Sequence, residues 1–330
     1  MTLSGTSMEI LDLRHFTAAM LRPVLETEER LWKDRLHWDY RNSTKLLTQY
    51  LDNRMLPGFA AMLGDLISGY VFCVYEETKA VVGDVFAMED ADGEGYAGGA
   101  HALEEALLTH LLELLVNSPQ VDRIESQLLI HASGAHSANF RRVGFEIFRR
   151  LFLVQRLEGR WNAPRVNLPR DLELRPWRDE DLAPAARLIG EAYRNHPDSL
   201  INDQYRTVHG SMRFLNNIVR YQGCGAFAPT VSYVIAHRVT REFAGLVLGS
   251  RVSPISGHIT QVCVHPDYRR KGLARTLLAL AAHGFLRHGV SEVSLTVTEA
   301  NSQAIDLYLS EGYVCAHSFD AAVWQRGRLA

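Results

Sequence analysis

Val264-His265-Pro266-Asp267-Tyr268-Arg269-Arg270-Lys271-Gly272-Leu273-Ala274-Arg275-Thr276-Leu277-Leu278 is the stretch from which the rest of this chain is read. An apolar, β-prone run over 259–264 enters a turn at Pro266. A basic, Gly-bearing segment then opens into a helix with apolar residues at Leu273, Leu277 and Leu280. The turn has the pattern Arg269-x-x-Gly272-x-Ala274. Small residues let a backbone approach a ligand closely, and the first N–H groups of a helix have no partner within it. Those donors, with the positive end of the helix dipole, suit a pyrophosphate. Arg269, Arg270, Lys271 and Arg275 add positive charge. The stretch predicts an anion-binding strand-to-helix turn.

A second block follows, Asn301-Ser302-Gln303-Ala304-Ile305-Asp306-Leu307-Tyr308-Leu309-Ser310-Glu311-Gly312-Tyr313, one helix and one strand further on. The turn resembles the Arg/Gln-x-x-Gly-x-Gly/Ala signature of the GCN5-related N-acetyltransferases (GNAT), which holds the pyrophosphate of acetyl-coenzyme A. The second block resembles that family's N-x-x-A-x-x-L-Y-x-x-x-G-F/Y segment, where a short helix closes the cofactor groove. The resemblance implies an α/β fold with a mixed sheet, acetyl-CoA as co-substrate, and N-acetyl transfer to a primary amine of a small molecule or peptide.

Length and composition agree. A chain of 330 residues suits two domains, each of about 150–165 residues. With 47% hydrophobic and 22% charged residues and a net charge of −3, it has the composition of a soluble globular protein. It lacks the basic excess of a nucleic-acid binder. No apolar run approaches the ~20 residues of a membrane span, and residues 1–7 have neither the basic nor the apolar region of a signal peptide. The four cysteines, Cys73, Cys224, Cys263 and Cys315, are scattered without metal-ligand spacing, so no metal is expected. These features predict a cytoplasmic protein, monomeric or homodimeric, with no nucleic-acid or membrane partner.

The chain also repeats itself. The second half reads as a strand over 172–175, helices over 181–195 and 205–221, and strands over 232–238, 243–250 and 258–264. The turn helix then runs to residue 288, followed by a strand over 292–298, a short helix ending at Gly312 and a closing strand over 321–325. The first half follows the same order, with strands over 8–12, 70–75, 80–88 and 124–130, and helices over 16–32, 44–53 and 102–116. Its short helix ends at Gly144. Met8 to Leu172 is an offset of 164 residues and Gly144 to Gly312 one of 168, the step of a tandem duplication. The expected domains are 1–160 and 171–330, with a linker over 161–170. The first-half turn, residues 93–101, is Gly-rich without Arg or Lys and follows Glu89, Asp90 and Asp92. Phe140 stands where the second half has Tyr308. The first domain is therefore expected to be a degenerate copy, and the aromatic segment 32–40 to serve as core or domain contact.

Within the second half, the resemblance assigns the cofactor to the backbone of Val262, Cys263 and Val264, to Arg269, Arg270, Lys271, Gly272, Leu273, Ala274 and Arg275, and to Asn301 and Ala304. A strand edge pairing with an amide-rich arm is the same contact as strand addition. Tyr308 occupies a position that in the family commonly donates a proton to the leaving thiolate. A phenol with an ordinary pKa near 10 is protonated at neutral pH. No carboxylate stands where some members carry a basic Glu, which leaves Gln261 and Thr296 to orient a water. His258 is at a strand start, expected at the surface, and His265 reads as structural. Asp203 and Tyr205, in the loop between the first two helices of this half, are the candidates for acceptor recognition. Two alternatives remain: a non-catalytic acyl-CoA-binding regulator, and a mycothiol-synthase-like enzyme, since tandem GNAT proteins include mycothiol synthases.

Overall fold

The computed structural model describes residues 8–89, 99–157, 164–220 and 225–327. In chain order the first half contains β1 (Met8–Asp12), α1 (Ala18–Leu36), α2 (Arg41–Asp52), β2 (Gly58–Leu63), β3 (Leu66–Glu76), β4 (Lys79–Ala87), α3 (Gly99–Asn117), β5 (Arg123–Gln127), α4 (Ser137–Arg142) and β6 (Glu146–Arg156). The second half contains β7 (Leu172–Pro176), α5 (Leu182–Ala192), α6 (Asp198–Ile201), α7 (Val208–Arg220), β8 (Ala226–Phe227), β9 (Tyr233–His237), β10 (Phe243–Arg251) and β11 (Ser256–Val264). It ends with α8 (Leu273–Arg287), β12 (Glu292–Thr298), α9 (Ser302–Ser310) and β13 (Val314–Gln325). Strands β2, β6 and β8 and the short helix α6 are the elements the sequence pattern did not announce. No helix among the described residues is long and apolar enough to cross a membrane.

Two compact units result, and they are not the contiguous segments 1–160 and 171–330. The first comprises residues 1–36, 40–149 and 319–330, the second residues 37–39 and 150–318. In the first unit the strands run in the order β1-β2-β3-β4-β5, and residues 321–325 of β13 pair antiparallel with β5 beyond them. In the second unit β7, β9, β10, β11 and β12 are neighbours, and residues 150–156 pair antiparallel with β12. Each unit thus takes one strand from the other half of the chain.

Local matches between the halves support the duplication. Gly144 and Gly312 both close their short helices at positive φ (84° and 87°). Phe145 N–H bonds to Phe140 C=O at 3.1 Å, as Tyr313 N–H does to Tyr308 C=O at 3.0 Å. The corresponding rings stand 5.1 and 5.8 Å apart.

Helices cover both faces of the second sheet. On α8, Leu273, Leu277, Leu278, Ala281, Ala282 and Phe285 recur at helical spacing and are all buried. Phe285 lies over Gly249 and Gly257, where a Cβ would come within 2.8 and 2.5 Å of its ring. On the opposite face α5 and α7 pack Ala185, Leu188, Ile189 and Leu215 against Leu246, Leu248 and Cys263.

Trp38, which belongs to the second unit, meets His258 edge-on at 5.0 Å and Phe152 at 6.1 Å. His258 is consequently interior, 6% exposed and bonded through Nδ1 to Ser294 Oγ at 2.9 Å, rather than a surface residue. Burial, with the charge of Arg150 adding, pushes its pKa down to about 3. Between that value and the ordinary 6.5 the unfolded chain binds a proton that the folded chain does not. Stability should therefore rise with pH across this window, by about 1.4 kcal/mol per pH unit for this single group. Urea titrations from pH 4 to 6.5 should give a shallower pH slope for His258→Gln than for the parent, and equal slopes would refute a neutral buried imidazole.

Candidate active site

The site begins where two strands of the second unit part. The parallel ladder between β11 and β12 runs from Ser256↔Glu292 to Ile259↔Leu295, and its register ends there. At that level β11 carries a bulge: Leu248 faces Gln261 and Gly249 faces Ile259, so Thr260 is the extra residue. Its hydroxyl donates to Leu248 C=O at 3.1 Å. Beyond the bulge, His265 N–H bonds to Ala244 C=O on β10 at 2.9 Å. By antiparallel alternation, the N–H and C=O groups of Val262 and Val264 then point away from β10, toward the side that β12 has left. Val264 C=O accepts from Arg269 Nε at 3.4 Å, and the remaining groups form a strand edge available to a ligand.

The turn after β11 places helix donors beside this edge. Gly272 is the N-cap of α8 at φ 78°, with no side chain capping the helix. A Cβ at Gly272 would meet nothing within 4 Å, so the turn is open on this side. Arg270, two residues earlier, is also at positive φ, 63°. The side chains of the turn go to several places. Arg269 donates to Ala192 C=O at the end of α5 (2.8 Å), where its charge also suits the helix dipole. Lys271 lies over the Tyr268 ring at 4.9 Å. Arg275 bonds to Glu311 Oε1 at 2.7 Å and Ser310 Oγ at 2.8 Å, tying α8 to α9. Arg270 is exposed. Leu273 is buried and Ala304 partly buried in the same apolar cluster. Of the expected cofactor cations, Arg269 and Arg275 therefore hold the turn in place with their side chains.

Tyr308 is 8% exposed, on α9. Burial, reinforced by Asp198 and Cys263, raises the phenol's pKa above its ordinary value, against the pull of Arg150. Cys263 lies at the same level, its thiol pushed up to about 12 by burial. Gln261, beside that thiol, is 4% exposed, and its Nε2 has no hydrogen-bond partner among the described residues. Thr296 Oγ1 accepts from Arg150 Nη2 at 3.3 Å.

The sequence reading missed the residues that complete this region, in the segment Tyr193-Arg194-Asn195-His196-Pro197-Asp198. Asn195 turns the chain at φ 61° after α5. His196 Nδ1 accepts from Asp198 N–H at 3.1 Å, and its Nε2 lies 3.2 Å from Asn301 Nδ2. Asp198 Oδ1 accepts a short hydrogen bond from Thr298 Oγ1. Burial, with the charge of Arg269, lowers the pKa of His196 below its ordinary value in spite of Asp198. The imidazole is accordingly neutral at pH 7. Asn301 caps α9 by accepting from Ala304 N–H at 3.3 Å. A His and an Asp flanking a Pro after a helix was the available signal. Their partners lie 105 and 100 residues away, beyond any local pattern. Of the expected acceptor residues, Asp203 opens a 3₁₀ turn after Asn202, and Tyr205 stacks on Tyr193 at 4.5 Å with Phe214 at its edge, 4.9 Å away. Tyr205 thus joins the packing of the helical layer.

Residues 199–313 match the model of the Acetyltransferase (GNAT) family. That match spans 115 of the 330 residues, all in the second half, and over it the chain is similar to the GCN5-related N-acetyltransferases. The fold extends over the whole length. A GCN5-related N-acetyltransferase from Sphaerobacter thermophilus superposes with TM-score 0.64 at 14% identity, covering 98% of each chain. A tandem GNAT protein from the clavulanic acid biosynthesis pathway gives 0.60 at 16%, over 98% of this chain and 100% of that one. The glucosamine N-acetyltransferase region of a fungal multi-domain β-N-acetylglucosaminidase gives 0.63 at 12%, over 97% of this chain and 38% of that one. The tandem GNAT fold expected from the repeat is the one observed.

Proposed function

We propose that the chain is an acetyl-CoA-dependent N-acetyltransferase whose reaction takes place in the second unit, on a primary amine of a small molecule or peptide. The observation that carries this reading is the convergence of three features on one strand split. These are the outward backbone edge of β11 at Val262 and the N–H of Val264, the uncapped start of α8 at Gly272, and the buried phenol of Tyr308. The pyrophosphate binds the N–H groups of 272–275, and the pantetheine amides pair with the edge of β11. Backbone N–H groups along that edge polarise the thioester carbonyl.

Asp198 supplies the carboxylate that the sequence reading lacked. Its Oδ1 is held by Thr298, while Oδ2 has no hydrogen bond among the described residues. The acceptor's ammonium docks on Oδ2 and gives up one proton, directly or through a water held by Gln261 and Thr296. The amine then attacks the thioester carbon in a ternary complex and the adduct's nitrogen loses its second proton to water. The C–S bond breaks as Tyr308 donates its proton to the departing thiolate, and the phenolate is reprotonated from solvent. His196, neutral and wedged between Asp198 and Asn301, fixes the geometry of both. Asp198→Asn keeps the Thr298 contact and removes the charge. It should lower kcat/KM for the amine by roughly 10²-fold while acetyl-CoA affinity stays within about twofold by calorimetry, twofold being a change of only ~0.4 kcal/mol. Unchanged kcat/KM would remove Asp198 from the reaction.

The first unit is read as a degenerate copy, since Phe140 stands in place of Tyr308 and is buried without a hydroxyl. Residues 93–98 of its glycine-rich turn lie outside the described residues, and 99–101 begin α3. A non-catalytic regulator would have no use for a phenol at the strand split, and enzymatic turnover decides between the two readings.

A further inference from the structure

The first unit contains a polar cluster that acyl transfer does not use. Glu104, near the start of α3, fixes its carboxylate by accepting Ala87 N–H on Oε1 at 3.2 Å. Its Oε2 stands 3.4 Å from His136 Nε2 and 3.7 Å from His131 Nδ1, and those two nitrogens are 3.2 Å apart. His101, one turn earlier on α3, brings Nδ1 to 4.0 Å from the same oxygen. His101, Glu104 and His136 each offer one donor atom, all mutually within 4.8 Å. Around a tetrahedral zinc with bonds of about 2.0–2.1 Å, neighbouring donors stand ~3.3 Å apart. The edges of the triangle formed by Glu104, His131 and His136 already match that spacing.

The tautomers match as well. His131 Nε2 bonds to Val85 C=O at 2.8 Å, with Asp84 Oδ1 at 3.7 Å. The ring proton is therefore on Nε2, and the lone pair of Nδ1 faces the cluster. An imidazole whose second nitrogen donates to a carbonyl or carboxylate is the usual arrangement of a metal-binding histidine.

The position within the repeat points the same way. His136 is the N-cap of α4, the place that Asn301 takes before α9. Asn301 caps its helix, whereas the His136 side chain makes no cap bond and turns into the cluster, with 3% of the residue exposed. Glu104 and His101 come from the helix that corresponds to α8. The residues that would line a cofactor groove in this unit have become donors to one another.

We propose that His101, Glu104, His131 and His136 form a site for a single first-row divalent cation of the zinc type, in the first unit. The N₃O donor set suits zinc. Buried Glu104 and His136 and the partly buried His131 form its floor, and His101, with a side chain 55% exposed, lies on the solvent side. The site is structural, coupling the start of α3 to the start of α4.

The test uses the full chain, stripped with a chelator and titrated with zinc against a chromophoric competitor, with Co²⁺ as a spectroscopic probe. The parent should bind one equivalent of zinc, show the visible bands of tetrahedral Co²⁺ and melt at higher temperature with zinc present. Glu104→Gln should weaken zinc binding by at least about 100-fold, beyond the 10–100-fold cost of second-shell changes. His101→Asn, at an exposed position, should weaken it less and alter the Co²⁺ spectrum while the fold is kept, as judged by circular dichroism. Failure of the folded parent to bind a stoichiometric ion would overturn the proposal in favour of a plain hydrogen-bonded proton network. Parental affinity in both variants would overturn it too, by moving the ion to others of the fourteen histidines.

Discussion

Gly272→Glu should reduce acetyl-CoA affinity in calorimetry by roughly 10²- to 10³-fold, the largest effect expected of any single change in the second unit. Two costs combine. At φ 78° a side chain enters the left-handed region, at about 1–2 kcal/mol for a residue with a Cβ, and this reaches the affinity because the free turn relaxes whereas the bound turn must hold this geometry. The open side of the turn, where a Cβ meets nothing, is also where the diphosphate is placed, so the added carboxylate repels it. The two sum to about 3–4 kcal/mol, with each 1.4 kcal/mol worth tenfold. Arg270→Glu reverses an exposed, screened charge and should cost only about tenfold. Arg269→Ala should chiefly lower stability, because that guanidinium is spent on the Ala192 carbonyl. Undiminished binding in Gly272→Glu would take away the basis for placing the cofactor on this turn.

Tyr308→Phe should leave acetyl-CoA binding intact and lower kcat by roughly 10²-fold, the low end for acid catalysis. The substitution retains ring packing against Tyr313 and deletes only the hydroxyl. Because burial raises the phenol's pKa, the parent keeps its proton throughout the neutral range, and no basic limb near pH 8–10 should trace to this group. Pre-steady-state measurement of thiol release separates chemistry from product release. A kcat equal to the parent's in that assay would show that the thiolate leaves without Tyr308.

Much of the fold was legible in the chain because the repeat and the two blocks are local. Gly272 and Gly312 announce left-handed turns that only the residues around them have to satisfy, and both adopt them. Asn301 stands directly before a short helical pattern and caps α9 through Ala304. β2 and β6 were missed: neither strand is marked by a strict two-residue alternation with turn signals at both ends. The expected break near 161–170 followed composition, whereas the units divide where strands pair. Pairing of 150–156 with β12, and of 321–325 with β5, depends on distant partners that leave no mark on the sequence nearby.

The same distinction runs through the sites. By itself the sequence determined the strand-turn-helix with its free N–H donors, the phenol four residues before Gly312, and the resemblance to the superfamily. Each of these depends on backbone geometry within a few residues, and such geometry follows from Gly, Pro and apolar spacing. Only the tertiary structure decided which charges remain for a ligand, turning Arg269 to the end of α5 and Arg275 to Glu311. It also carried His196 and Asp198 across about a hundred residues to Asn301 and Thr298, covered His258 with Trp38, and gathered His101, Glu104, His131 and His136. The reason is physical. A side chain's charge, burial and hydrogen bonds are set by whatever packs against it, and in a sheet protein those neighbours come from strands and helices far away in the chain.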